Sequence, residues 1–142
     1  YRLREGALTQ LTVDHRLVDE ARRAGLPQQE IEKLPAGVIV EAIGMRAAPR
    51  IERALLEVEP HDLYLLCSDG LSDALDGEEI AALLRAGTGD LDAAARALVA
   101  LGAALGRSPR AGRPKPPSLG DNITVLVVQP ATSGQHGAST AG

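Results

Sequence analysis

LYLLCSDGLSD, residues 63–73, is an apolar run that stops abruptly on an aspartate. Its first five residues, LYLLC, carry no charge and no apolar–polar alternation, which predicts a strand covered on both faces. Ser68, Asp69 and Gly70 then form a turn signal. A second stretch, LGDNITVLVV at residues 119–128, has the reverse order: a Gly-Asp-Asn turn leads into a β-branched run, predicted as a strand over 122–128. Each stretch places one carboxylate, Asp69 or Asp121, at a border between strand and turn. A strand that leaves, passes through helices on one face and returns to the same sheet brings two such turns together. Two carboxylates held close repel unless a cation lies between them. Their oxygen donors suit Mg²⁺ or Mn²⁺, ions that keep bound waters for hydrolysis. The bland alternative is ordinary turn chemistry, in which Asp or Asn bonds its own backbone.

Working outward, the remaining elements alternate in type. Residues 1–4 (YRLR) and 7–12 (ALTQLT) read as two strands joined at Glu5-Gly6, a hairpin. Residues 15–24 read as a helix with Asp14 as N-cap and Gly25 as its stop. A short helix over 28–34 ends before Pro35. Residues 38–43 (VIVEAI) and 51–58 (IERALLEV) read as strands, and Glu59–Asp62 as a turn. Helical periodicity and strong helix formers occupy 78–86 and 91–105. Residues 106–118 form a Pro-, Gly- and Arg-rich loop, and residues 130–142 have the composition of a disordered tail. The order predicts an α+β fold, part of a sandwich of antiparallel sheets flanked by helices.

Composition bounds the function. At 142 residues the chain suits one domain. With Tyr 2, Phe 0 and Trp 0, the core must come from Leu, Ile, Val and Ala, and such a core is expected to need a partner surface. A net charge of −4 argues against nucleic acid as main ligand. The lone cysteine, Cys67, excludes an internal disulfide and fits a reducing cytoplasm. No run reaches the roughly 20 apolar residues of a membrane span. Tyr1-Arg2-Leu3-Arg4 opens directly on a predicted strand, without Met or a signal-peptide pattern, so a piece of a longer cytoplasmic protein is expected. Arg far outnumbers Lys and Ala is abundant, a bias of high-GC bacterial genomes.

CSDGLSD and GDNITVLVV, in that order, resemble the C-terminal half of a metal-dependent PPM-family (type 2C) Ser/Thr protein phosphatase. LTVDHRLVDE (11–20) is similar to the stretch that leads into this family's mobile flap, and VIVEAIG (38–44) to the segment that closes it, a flap of about 14–44. YRLREG resembles the strand that opens this half, so the likeness runs over residues 1–129. The resemblance implies an α-β-β-α sandwich and a binuclear Mn²⁺ or Mg²⁺ centre with Asp69 and Asp121 as ligands. Asp73 corresponds to a weaker third-metal ligand, against a cap or turn role. It also implies in-line attack of a metal-activated water on phosphoserine or phosphothreonine without a phosphoenzyme, a phosphorylated protein substrate and a cognate Ser/Thr kinase. Beyond the metal ligands, no catalytic residue of the family falls in this chain.

The departures are specific. No DGxGG or DGHGG turn, the family's source of its first ligands, occurs in residues 1–142. Nor does the family's phosphate-gripping arginine, so the centre needs an N-terminal half. Arg16 replaces a usual Ser, Gly37 a usual Asn and Glu41 a usual Arg. These changes motivate the alternative of a pseudophosphatase or regulatory binding module that keeps the fold without catalysis. A phosphatase dedicated to one sigma-factor regulator is a third reading. Other chemistry-bearing residues read as structural. His15 is expected to be a partly buried neighbour of its helix cap, Cys67 a small core residue, and His61 and His136 lie too far apart to make a zinc site.

Overall fold

The opening hairpin forms as predicted, but shorter. In the computed structural model, which describes residues 1–35, 37–105 and 122–131, β1 (Arg2–Arg4) turns back into β2 (Ala7–Thr9). The turn needs left-handed backbone at both central residues, and Glu5 (φ 50°) and Gly6 (φ 82°) supply it. The apolar run 63–67 forms β3 (Leu63–Cys67), and residues of the second motif form β4 (Val125–Val128). One four-stranded antiparallel sheet results, ordered β2-β1-β3-β4. The α+β expectation holds. The two motif strands are neighbours, with Tyr64 opposite Val128 and Cys67 opposite Val125.

The helices are α1 (Leu17–Arg23), α2 (Gln28–Ile31), α3 (Asp69–Ser72), α4 (Gly77–Ala86) and α5 (Leu91–Leu105). α4 starts at a capping box: the Asp76 carboxylate accepts from the Glu79 amide, and the Glu79 carboxylate accepts from the Asp76 amide. Its apolar residues Ile80, Ala81 and Leu84 join Leu98 of α5 in one core. Leu3, Leu63 and Leu65 supply the sheet side of that core, and Leu71, Ala74 and Leu75 close it beneath α3. The whole cluster is aliphatic, as the composition demanded.

Three expectations fail. Residues 38–43 and 51–58 are not strands. Strand pattern needs a neighbouring backbone to pair with. Among the described residues, 38–43 take part in isolated bridges, Arg16–Ile39 and Ile43–Arg46, and residues 51–58 pair with none of the described strands. Second, Asp14 is not the cap of α1. Arg16 holds that position without a side-chain cap bond. The Val40 amide donates to the His15 carbonyl (2.8 Å) and the Leu17 amide to the Val38 carbonyl (2.9 Å), so residues 15–17 are committed to a bridge and the helix starts late. Gly25, at φ 77°, does end α1. Third, LYLLC is covered on one face only among the described residues. Leu63 and Leu65 are buried, whereas Leu66 is 57% exposed. Across from it Leu126 is exposed too, and so is Val128 beyond. The basic loop 106–118, with its Pro-rich run, and the tail after Ala131 lie outside the described residues.

A candidate metal centre at two joined turns

The Ser-Asp-Gly turn becomes the start of α3. Ser68 is its N-cap and Asp69 its first residue. Ser68 does not cap in the usual way, because its hydroxyl is engaged elsewhere. Ser68 Oγ donates to the Asn122 carbonyl (3.0 Å) and accepts from the Thr124 amide (3.0 Å). The Ser68 amide donates to the Thr124 carbonyl at 3.0 Å. One serine thus ties the end of β3 to the lead-in of β4.

Glycine permits the closeness. A Cβ on Gly70 would stand 2.6 Å from the Asn122 carbonyl oxygen, a backbone atom that cannot swing away. On α5, a Cβ at Gly102 would meet Ile123 Cδ1 at 2.9 Å and Leu71 Cδ1 at 3.2 Å. Gly102 therefore lets α5 press on Leu71 of α3 and on Ile123 in the lead-in of β4 at once. The predicted convergence of the two motifs is seen in Ser68, Gly70, Asn122 and Thr124. Asp121 itself lies outside the described residues; its neighbour Asn122 packs beside the residue that follows Asp69.

Asp69 is exposed at the mouth of this junction, and Asp73 is half-buried at the C-cap of α3. Their donors are carboxylate oxygens, the chemistry hard divalent ions take. Among the described residues no three Asp, Glu, His or Cys side chains surround one point, so this donor set fits Mg²⁺ or Mn²⁺ in kind and is incomplete in number.

A group that sequence reasoning treated only as a departure lies next to it. Arg16 reaches across from the start of α1: Nη1 lies 3.7 Å from Asp73 Oδ1, Nη2 2.9 Å from Asp14 Oδ2 and Nε 2.8 Å from Asp19 Oδ2. The spacing Asp14, Arg16, Asp19 was readable as a local charge cluster; its reach to Asp73 was not. Glu41 is buried as well, with Oε2 3.5 Å from Arg46 Nε and Oε1 without a hydrogen-bond partner among the described residues. It lines a polar hollow of about 270 Å³ with Glu20, Arg46 and Arg50. His15 is half-buried and faces Glu52 (3.5 Å) rather than forming an acid–base pair with Asp14.

Cys67 sits half-buried beside the core, and burial pushes its thiol up, as suits a core residue. Asp62, fully buried at the start of β3, was missed as anything beyond a turn residue. It accepts two bonds from the Arg4 guanidinium (2.8 and 2.7 Å), one from the Glu59 amide and one from the Tyr64 hydroxyl. The Arg4 guanidinium holds its carboxyl well below the usual carboxylate range.

An antiparallel sheet backed by helices brings the Ser-Asp-Gly turn beside the lead-in of β4. No family model matches the chain. The serine/threonine phosphatase stp of Listeria welshimeri is 30% identical over 87 residues, 60% of this chain and 34% of that protein. PppA of Pseudomonas aeruginosa superposes with a TM-score of 0.69 at 36% identity, covering 91% of this chain and 47% of PppA. The PPM Ser-Thr phosphatase MsPP of Mycobacterium smegmatis gives 0.67 at 29% identity, covering 91% and 50%. In sequence and in fold this chain is similar to part of PPM Ser/Thr protein phosphatases. It spans about a third of the first relative and about half of each solved structure.

Proposed function

We propose that this chain forms the later part of a Mg²⁺- or Mn²⁺-dependent phosphatase acting on phosphoserine and phosphothreonine in proteins. The observation that supports the reading is the junction of the Ser-Asp-Gly turn with the lead-in of β4 through Ser68, Asn122 and Thr124. Asp69 and Asp121 would hold the ion pair, and Asp73 a weaker further ion. A divalent ion in such a place lowers the pKa of a bound water and offsets charge on a phosphoryl group. This chain's own part is positioning. Ser68 pins the end of β3 to the lead-in of β4, and α3 presents Asp69 at its first position. The junction between 15–17 and 38–40 holds the two ends of the flap region. The other ligands and an arginine for the substrate phosphate would come from outside residues 1–142.

In the whole protein, Asp69→Asn and Asp121→Asn should each lower metal-dependent turnover of a phosphopeptide by about a hundredfold or more. Wild-type rates in both variants would reject the assignment. The 142 residues alone should be nearly inactive and bind Mn²⁺ weakly. A phosphorylated protein substrate, a cognate kinase and a cytoplasmic setting belong to the same proposal. None of the described helices is long and apolar enough to cross a membrane.

Arg16 against Asp73 and the buried Glu41 favour a second reading, a phosphatase-fold module that binds a partner without catalysis. Whole protein that fails to bind Mn²⁺ would select it.

A further inference from the structure

We propose that the polar hollow beside α1 receives a basic side chain of the phosphoprotein substrate, with Glu41 as its acceptor. The inference deepens the phosphatase reading and rests on it for the identity of the guest. The hollow, of about 270 Å³, is lined by Glu20 of α1 and by Val40, Glu41, Arg46, Ala48 and Arg50. Its size suits one long side chain better than a whole small-molecule ligand, whose pockets run to roughly 300–1,000 Å³. The Val40 amide donates to the His15 carbonyl (2.8 Å), and Nη1 of Arg16 lies 3.7 Å from Asp73 at the C-cap of α3. Residues 15–17 thus join the wall of the hollow to the helix that opens on Asp69.

The charges around the hollow are unequally satisfied. Arg50 is ion-paired with Glu20, which ties this wall to α1. Glu41 is only 8% exposed, and its Oε1 has no hydrogen-bond partner among the described residues. Its Oε2 lies 3.5 Å from Arg46 Nε, but the Arg46 side chain is 68% exposed, so water screens much of that charge. A buried carboxylate oxygen is costly unless a donor meets it. A guanidinium or ammonium group makes the strongest bond to it, because that bond is charge-assisted. An anionic guest would instead set a second negative charge against Glu41, while Glu20 already neutralises Arg50.

The test is kcat/KM of the whole protein on phosphothreonine peptides that carry one arginine at successive positions on either side of the phosphothreonine. Each is paired with a citrulline analogue, which keeps the size of arginine and removes its charge. At the preferred position the parent should favour arginine about tenfold, through KM rather than kcat. Glu41→Gln should bring that ratio close to one. Arg46→Gln removes the competing cation and should raise the ratio above the parent's; a fall there overturns the proposal. Equal use of arginine and citrulline peptides by the parent at every position also overturns it, and a hollow that holds water alone gives that result. So does a preference that survives Glu41→Gln. Should the whole protein turn over no peptide, the phosphatase reading falls, and fluorescence anisotropy of the same peptides decides the hollow by itself. Tighter binding of an arginine peptide that is lost in Glu41→Gln upholds Glu41 as the acceptor, and equal binding of both peptide sets overturns it.

Discussion

At the residue scale, Asp62 shows what a buried charge costs and how it is stabilised. Its carboxylate is out of water and accepts bonds from Arg4, the Glu59 amide and Tyr64. These bonds favour the ionised form and depress its pKa below the ordinary 3.8. The native state therefore holds fewer protons than the unfolded state in acid, and stability rises with pH there. The contribution is complete above the ordinary carboxylate range and fades as pH falls below it. Urea midpoints of the parent should drop between pH 5 and pH 3. Asp62→Asn should have a lower midpoint at pH 5 and a shallower drop, since the titrating group is gone. An equally steep drop in both would assign acid sensitivity to other carboxylates. Cys67 gives a second test: its thiol is raised by burial, so labelling by a disulfide reagent at neutral pH should be slow until denaturant is added.

At the element scale, two local devices hold the helices in place. The capping box of α4 satisfies amides that the first turn leaves open. Asp76→Ala should lower stability by about 1 kcal/mol, read from a denaturant melt. The close approach at Gly70 is less forgiving. Gly70→Ala would force its new methyl against the Asn122 carbonyl, for a loss of about 1–3 kcal/mol. It should also loosen Asp69 from the β4 lead-in, so metal affinity should fall more than stability alone predicts. An unchanged melting curve with unchanged Mn²⁺ affinity would mean that this contact does not hold α3 against the lead-in of β4.

At the scale of the whole molecule, the described residues cover one face of the sheet. Among the described residues Leu66, Leu126 and Val128 are exposed on the other face, and Ile51 and Leu55 are exposed as well. An aliphatic core without large aromatic anchors is expected to need a partner surface, and these exposed apolar side chains are where one would sit. The isolated 142 residues should self-associate or bind a hydrophobic dye, detected by light scattering and fluorescence. Leu66→Lys with Leu126→Lys should make the chain monomeric with its melting curve little changed. Monomeric, dye-silent parent protein would show that this face is closed in solution.

The sequence alone determined what depends on local periodicity and turn chemistry. The hairpin, α4, α5, β3 and the region of β4 were legible because 3.6- and 2-residue patterns and Gly, Asp and Pro signals are local. So were Asp69, Asp73 and Asp121 as candidates, since short motifs record residue type and spacing. Only the tertiary structure decided which predicted strands had a partner. VIVEAI and IERALLEV carry apolar pattern, but pairing is a property of two segments, and neither has a full partner strand among the described residues. It also decided where long side chains ended. Arg16 reads as a local charge and lies against Asp73; Asp62 reads as a turn residue and is buried under Arg4. A side chain's partner across the fold depends on three-dimensional packing, which sequence spacing does not record.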